Sequence, residues 1–340
     1  MPRRLKSSAA LTEGVGKLGA LIPLSRLHPT VRGWVEQSRI RGPWCVAFSG
    51  GVDSLALLLL LWQHWPERRE QMVALHFNHR LRGVAADGDE DFCRAVCRAL
   101  GVKCVTGRWR GARREASEAE SRTARHAFFA TAMKRLRSRV LWLAHQQDDI
   151  AESMLMRLAR GSGTGGLAAP RPVQRIAVDR THLRPLLTLG KAELTTALRS
   201  AGIKWREDAS NARPDHFRNR IRQAVVPAWQ KAAGRDALAG AALSRERLEE
   251  DDVALEAWVD GAGLFKRTKV LDVPACQGLP RAVVRRALHR WLLAVRPATD
   301  LSRAGFELLL AAVERGTATR FSLGSGFAVL RRGELAFVRG

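Results

Sequence analysis

A doubly wound, mainly parallel α/β sheet, followed by a mainly helical C-terminal domain with a short terminal β meander, is the fold this sequence predicts. Three observations predict it. From about Pro43 to Arg222, short apolar runs alternate with amphipathic stretches, the signature of strand and helix in alternation. The apolar runs are nearly continuous, as strands covered on both faces require. After Pro227 helical periodicity takes over, and strand-like stretches return only near the C-terminus.

The expected strands span residues 44–48, 72–78, 102–106 and 140–144, and the expected helices 53–65, 89–100, 119–136 and 148–160. In the last third, helices are expected over 236–258, 280–295 and 302–315. Residues 319–338 read as two or three strands broken by Gly324, Gly326 and Gly333. The chain thus divides into a basic N-terminal extension (residues 1–40), an α/β domain (41–227) and a helical domain with terminal strands (228–340). The extension lacks the apolar block of a signal peptide and is expected to be poorly ordered. The longest apolar run, residues 55–62, is too short to span a bilayer, so no membrane partner and a cytoplasmic location are expected.

Charge points to the class of partner. The 57 Lys and Arg against 33 Asp and Glu leave +24 over 340 residues. Such an excess favours a polyanion, because each cation set on a phosphate releases a condensed counterion. Residues 281, 285, 286 and 290 are all Arg, a spacing that makes a basic stripe on one helix. The five cysteines are unclustered and include no CxxC, which argues against a disulfide framework and against a zinc or iron–sulfur site.

The chemistry-bearing segments sit at strand ends. The first strand runs into Ser49, Gly50, Gly51, Val52, Asp53 and Ser54, after which a helix begins. A glycine-rich turn lets the backbone approach an anion, and free N–H groups with the helix dipole attract phosphate. Asp53 is placed to cap that helix or to hold a Mg²⁺ that neutralises phosphate. The pattern is neither GxxxxGK[ST] nor GxGxxG. The second strand leads into His76, Phe77, Asn78, His79, Arg80, Leu81, Arg82 and Gly83; His76 reads as a core histidine. The fourth leads into His145, Gln146, Gln147, Asp148, Asp149 and Glu152 at a helix start. Those carboxylates either cap the helix or share a Mg²⁺ or a substrate ammonium. A flexible Gly161–Gly166 loop follows, then Trp205–Asn211 with Asp208, Ser210 and Asn211 as a turn cluster, then Arg218, Arg220 and Arg222. Arg218 and Arg222 share a helical face that Arg220 does not.

In this order and spacing, residues 43–227 resemble the tRNA(Ile)-lysidine synthases, a family of PP-loop ATP pyrophosphatases. The chain departs from the family at His126, where a Tyr is common, at Ser153 for Thr, and at Gln146 for a second His. The resemblance implies an adenine nucleotide α-hydrolase-like fold and the ligands ATP and Mg²⁺. It implies Ser49, Gly50, Gly51, Val52, Asp53, Ser54, His79 and His145 as nucleotide-binding residues. Asp53, Asp148, Asp149, Arg218 and Arg222 are implied as catalytic, with Asp53 and Asp148 on the metal. The implied partners are free L-lysine and tRNA(Ile) with a CAU anticodon, gripped by the C-terminal domain, and a homodimer is compatible with them. The implied reaction adenylates the wobble cytidine and then joins lysine to its C2. A tRNA thiolase or another PP-loop adenylating ligase is the alternative.

Overall fold

The computed structural model describes residues 8–38, 42–80, 84–109, 111, 117–207, 217–267, 269–295, 301–324 and 326–340. The expectations for Leu81, Arg82 and Gly83, and for Asp208, Ser210 and Asn211, lie outside the described residues. The chain forms two compact units, Met1–Glu246 and Arg247–Gly340.

The first unit is built on a six-stranded sheet. Its strands are β1 (Trp44–Ala47), β2 (Met72–Asn78), β3 (Lys103–Arg108), β4 (Val140–Trp142), β5 (Val173–Ala177) and β6 (Arg180–Leu183), in the order β3-β2-β1-β4-β6-β5. All pairings are parallel except β5 with β6. β5 and β6 form a hairpin that the strand pattern did not reveal, because β5 is half exposed and lacks a continuous apolar run.

Successive residues point to opposite faces, and each face has its own cover. Trp44, Val46, Met72, Ala74, Val140 and Trp142 enter one core with helices α1 (Ser8–Leu21), α3 (Val52–His64), α4 (Val84–Leu100) and α8 (Lys191–Ser200). Cys45, Val73, Leu75 and Leu141 enter the other with Phe129, Ala132 and Met133 of α5 (Glu118–Leu136). Trp44, Trp65 and Trp142 cluster in the first core with ring centroids 4.7 to 5.8 Å apart.

The N-terminal stretch is helical over its described residues, which corrects the expectation of a poorly ordered extension. α1 and α2 (Pro29–Gln37) place Leu11, Val15, Leu18 and Val31 in the first core, and Ile22 and Leu27 join them from the connection. The cause is α3. Every residue from Ser54 to Trp62 on it is buried, so its side away from the sheet needs a second cover. α1 supplies one, and it approaches closely: a Cβ on Gly19 would lie 2.5 Å from the Gln63 side chain.

The second unit holds α12 (Arg281–Val295), α13 (Arg303–Arg315) and a five-stranded antiparallel sheet. The sheet's strands are β7 (Phe265–Arg267), β8 (Val270–Asp272), β9 (Thr319–Ser322), β10 (Gly326–Arg331) and β11 (Glu334–Arg339), ordered β7-β8-β11-β10-β9. The terminal meander is thus part of a larger sheet. The expected basic stripe on α12 is largely neutralised within the unit. Arg281 pairs with Glu307 at 3.0 Å and with Glu314, and Arg285 lies 3.8 Å from Glu307. Arg286 pairs with Asp252 and, at 2.8 Å, with Glu256; Arg290 pairs with Glu256 and Asp260. The acids come from α11 (Ala237–Gly261) and α13, whose positions the spacing on α12 does not encode.

Among the described residues, no helix is long and apolar enough to cross a membrane. Because Leu18 is fully buried, Leu18→Ala is expected to lower unfolding stability by about 2–5 kcal/mol, read as a lower urea midpoint; a peripheral N-terminal helix would leave the midpoint unchanged.

Candidate active site at the β1–β4 crevice

The chain runs outward from β1 through β2 to β3, then returns to place β4 on the other side of β1. Loops leaving β1 and β4 therefore diverge and open a crevice at the carboxyl ends of the strands, the ligand position of doubly wound sheets. The Ser49–Ser54 turn follows β1, and the segment from His145 to Glu152 follows β4.

The turn is organised by its own hydroxyls. Ser49 Oγ and Ser54 Oγ are 2.8 Å apart, the Ser49 N–H donates to Ser54 Oγ at 3.1 Å, and Ser54 Oγ donates to the Gly51 carbonyl at 3.2 Å. Gly50 has φ +87, and a Cβ there would meet Cys93 Sγ at 3.1 Å and Phe92 at 3.2 Å. A side chain at Gly50 would thus be both strained and crowded. Arg206 braces the turn from outside: its N–H donates to the Gly50 carbonyl at 3.0 Å, and its guanidinium bonds Asp89 at 2.7 Å.

Asp53 does not cap α3. Gly51 is the N-cap residue, and no side chain bonds there. The Asp53 Oδ1 atom is instead buried without a hydrogen-bond partner among the described residues. Burial is the main cause that pushes its carboxyl up to about 6; the negative charges of Asp149 and Asp148 add to this, and Lys191 and Arg222 oppose it.

Across the crevice, Gln146 caps α6 (Gln147–Leu158), accepting from the Asp148 N–H at 2.6 Å, while Asp149 Oδ2 accepts the Gln146 N–H at 3.0 Å. Asp148 reaches toward α8, where its Oδ2 accepts the Lys191 N–H at 2.9 Å. Asp149 and Glu152 face two arginines. Arg218 donates to Asp149 Oδ1 at 2.6 Å and to Glu152 Oε2 at 2.8 Å. Arg222 donates to Glu152 at 2.5 and 3.0 Å and lies 3.7 Å from Asp149. Glu152 is only 1% exposed, so its two cations compensate a charge that would otherwise be costly to bury. Arg218 lies on α9 (Phe217–Arg220), and Arg222 on the π-helical turn Ile221–Val225 that continues it. The shared face read from the sequence is real; its partners are carboxylates.

An open cavity of about 270 Å³ is lined by Ser121, Arg122, Arg125, Asp149, Arg218, Asn219 and Arg222. Arg122 and Arg125 bring α5 into the site, a contribution that its cation-rich sequence did not single out. Arg184, the residue after β6, is buried near them. Its Nε donates to His145 Nδ1 at 3.2 Å, and its other nitrogens donate to the Arg171 carbonyl at 2.7 Å and to Gln174 at 2.9 Å. Burial and the nearby arginines hold His145 well below its ordinary value, and His126 and His182 at about 4, so these imidazoles are neutral at neutral pH.

The structure therefore brings Ser49–Ser54, Asp53, Asp148, Asp149, Arg218 and Arg222 to one region. His145 adjoins it but is engaged with Arg184. His79 stands at the end of β2, bonded to Ser121 Oγ at 2.8 Å and edge-on to Phe77. His76 is a buried residue bonded to the Phe48 carbonyl at 3.0 Å. Asn78 anchors the same strand end, donating to Glu90 at 3.2 Å, and Arg94 and Arg108 complete the shell around that buried acid. Gly161–Gly166 was expected to be a flexible loop; its second half enters a short helix, α7 (Thr164–Leu167).

Comparison with known proteins fits this geometry. A family model described as "PP-loop domain" matches residues 30–229. The chain is similar to a tRNA(Ile)-lysidine synthase of Geobacter sulfurreducens, 35% identical over 277 residues, covering 77% of this chain and 56% of that protein. It is likewise similar to the Pseudomonas aeruginosa tRNA(Ile)-lysidine synthase, at 35% identity over 80% of this chain and 62% of that protein. The Xanthomonas axonopodis pv. citri protein of the same name is 38% identical over 74% and 57%. The chain thus spans a little over half the length of these relatives. Among solved structures, the U34-tRNA thiolase NcsA from Methanococcus maripaludis superposes with a TM-score of 0.51 at 14% identity, over 71% of this chain and 79% of that chain, a likeness of fold. The chain belongs to the PP-loop domain family.

Proposed function

We propose that the protein ligates L-lysine to C2 of the wobble cytidine, position 34, of tRNA(Ile) bearing a CAU anticodon. The products are lysidine, AMP and pyrophosphate, formed through an adenylated cytidine. One observation carries the chemistry: a phosphate-binding turn and a set of carboxylates sit side by side at the β1–β4 crevice. The names of the relatives supply tRNA(Ile) and the product lysidine; free lysine as the amine is what the family resemblance implies.

The residues divide the work. N–H groups of the Ser49–Ser54 turn and the start of α3 cradle the triphosphate tail of ATP. The cytidine O2 then attacks the α-phosphorus, the α–β phosphoanhydride bond breaks, and pyrophosphate leaves. Arg122 and Arg125, which line the cavity, stabilise the charge that develops. In the second step the lysine ε-amine attacks C2, and the C2–O bond to AMP breaks. An ammonium of pKa about 10.4 is no nucleophile until it gives up a proton. Asp148 and Asp149 stand ready to orient it. Asp149 is already engaged by Arg218 and the Gln146 N–H, whereas Asp148 makes one bond through Oδ2. Either carboxylate can orient the amine, Asp148 being the less engaged of the two. Arg218 and Arg222 hold Asp149 and Glu152 in position.

Mg²⁺ fits the residues present. Asp53 offers a buried oxygen without a partner, beside the negative charges of Asp148 and Asp149. Two carboxylates plus substrate phosphates are an ordinary Mg²⁺ set. Bound by Asp53 and Asp148, the ion would supply charge neutralisation to the leaving pyrophosphate.

Two outcomes follow. With ATP, bulk tRNA and radiolabelled lysine, label is expected to enter tRNA in an ATP-dependent manner and to be lost in Asp53→Ala; ATP turnover that needs a different acceptor would sink the reading. The second concerns stability. The folded state holds the Asp53 proton more tightly than the unfolded chain, so stability falls as pH rises from about 4 through about 6. Asp53→Asn should therefore be more stable than the parent by about 2–3 kcal/mol at pH 8 without Mg²⁺, and by less at pH 5. Equal unfolding midpoints at both pH values would show that Asp53 is not strained.

A further inference from the structure

The cations of the second unit fall into two groups. Those of α12 are committed to α11 and α13. Arg320 and Arg331 of the terminal sheet are not. In the β ladder, Val329 lies opposite Arg320 on one side and Ala336 on the other, and Phe327 opposite Ser322 and Val338. With the two-residue period, Arg320, Phe327, Val329, Arg331, Glu334, Ala336 and Val338 therefore share one face. The opposite face sends Ala328, Leu330 and Leu335 into the core. Arg320 and Arg331 are exposed, and neither has an ion pair among the described residues. The Arg320 guanidinium sits 3.6 Å from the centre of the Phe327 ring. Val338 is 48% exposed on the neighbouring strand. The acids of this face are Glu334, directly opposite Arg331 in the ladder, and Asp272 on the next strand, and Lys266 engages both, at 3.2 Å and 3.6 Å.

We propose that this outer sheet face is an RNA-contacting surface, with Arg320 and Arg331 on backbone phosphates and the Arg320–Phe327 pair as a stacking surface for an unpaired base. The proposal rests on tRNA being the substrate and says which part of the second unit meets it. Exposed cations without acid partners retain their attraction for phosphate, whereas paired ones must first break an internal bond. An aromatic ring carrying a guanidinium, set among small apolar residues on an open sheet, suits a base rather than a duplex groove. The excess of +24 over the whole chain supplies the long-range attraction.

The test is the salt dependence of tRNA binding by the full chain, read by fluorescence anisotropy with labelled tRNA over a range of KCl concentrations. Arg320→Gln/Arg331→Gln should weaken binding about tenfold at moderate salt and reduce the slope of log Kd against log salt by about 1.5, for two lost phosphate contacts. Phe327→Leu, which keeps an apolar side chain but removes the ring, should weaken binding and leave the slope unchanged. The helix variant Arg281→Gln/Arg285→Gln should keep the parent slope. An unchanged slope in the sheet variant overturns the proposal, and so does an equal change in the helix variant. A change in oligomer mass in place of a change in slope also overturns it, assigning the face to a second copy. If the parent protein binds no tRNA, the lysine-ligation reading itself falls; if it binds and the sheet variant binds equally well, only the surface assignment falls.

Discussion

The pairing of β1 with β4, through Trp44 with Val140, Cys45 with Leu141 and Val46 with Trp142, decides where two chemically different loops end. One ends in backbone N–H groups that attract anions. The other ends in carboxylates that attract cations. Parallel register puts both at the same edge of the sheet, and the reversal of strand order opens space between them. The Trp44, Trp65 and Trp142 cluster fills the core beneath this pairing. A substitution that loosened the cluster would act on the site through the strands, without touching any residue in the crevice.

Charge is distributed unevenly around that edge. Glu152 and Asp149 are held by Arg218 and Arg222, a buried four-member network whose removal by halves would leave an uncompensated charge. Asp53 has no such partner for its buried oxygen. A folded chain seldom leaves a buried polar atom unsatisfied without reason, and the proposed Mg²⁺ site supplies one: the atom feels the charges of Asp149 and Asp148. The contrast between satisfied and unsatisfied acids separates scaffold from chemistry better than their spacing in the chain does. The same contrast among arginines separates α12 from the terminal sheet.

Much of this was legible in the sequence, and the exceptions have physical causes. The strands near Trp44, Met72 and Val140, and the helices that follow Gly51 and Gln146, were marked by apolar runs ending in glycine or acidic turns. The site loops followed from them. The helices over 8–37 were missed because the stretch looked merely basic; the clue lay in α3, whose apolar residues on every side demand a further layer. The β5–β6 hairpin was missed because an exposed edge strand carries little hydrophobic signal. Arg218 and Arg222 could be placed on one face, but not against Glu152, since periodicity gives direction and not partner. The same holds for the α12 arginines. That Asp53 lacks a hydrogen bond is a property of everything packed around it, and no local pattern encodes it.

The central claim is that nucleotide and cation meet at the crevice, on the turn after β1 and on Asp53. Its most direct measurement is a crystal structure of the protein with Mg²⁺ and a non-hydrolysable ATP analogue. The account predicts the triphosphate tail on the N–H groups of Gly50, Gly51 and Val52, and the metal within bonding distance of Asp53. A nucleotide bound away from the β1–β4 edge, or a metal held without Asp53, would contradict it.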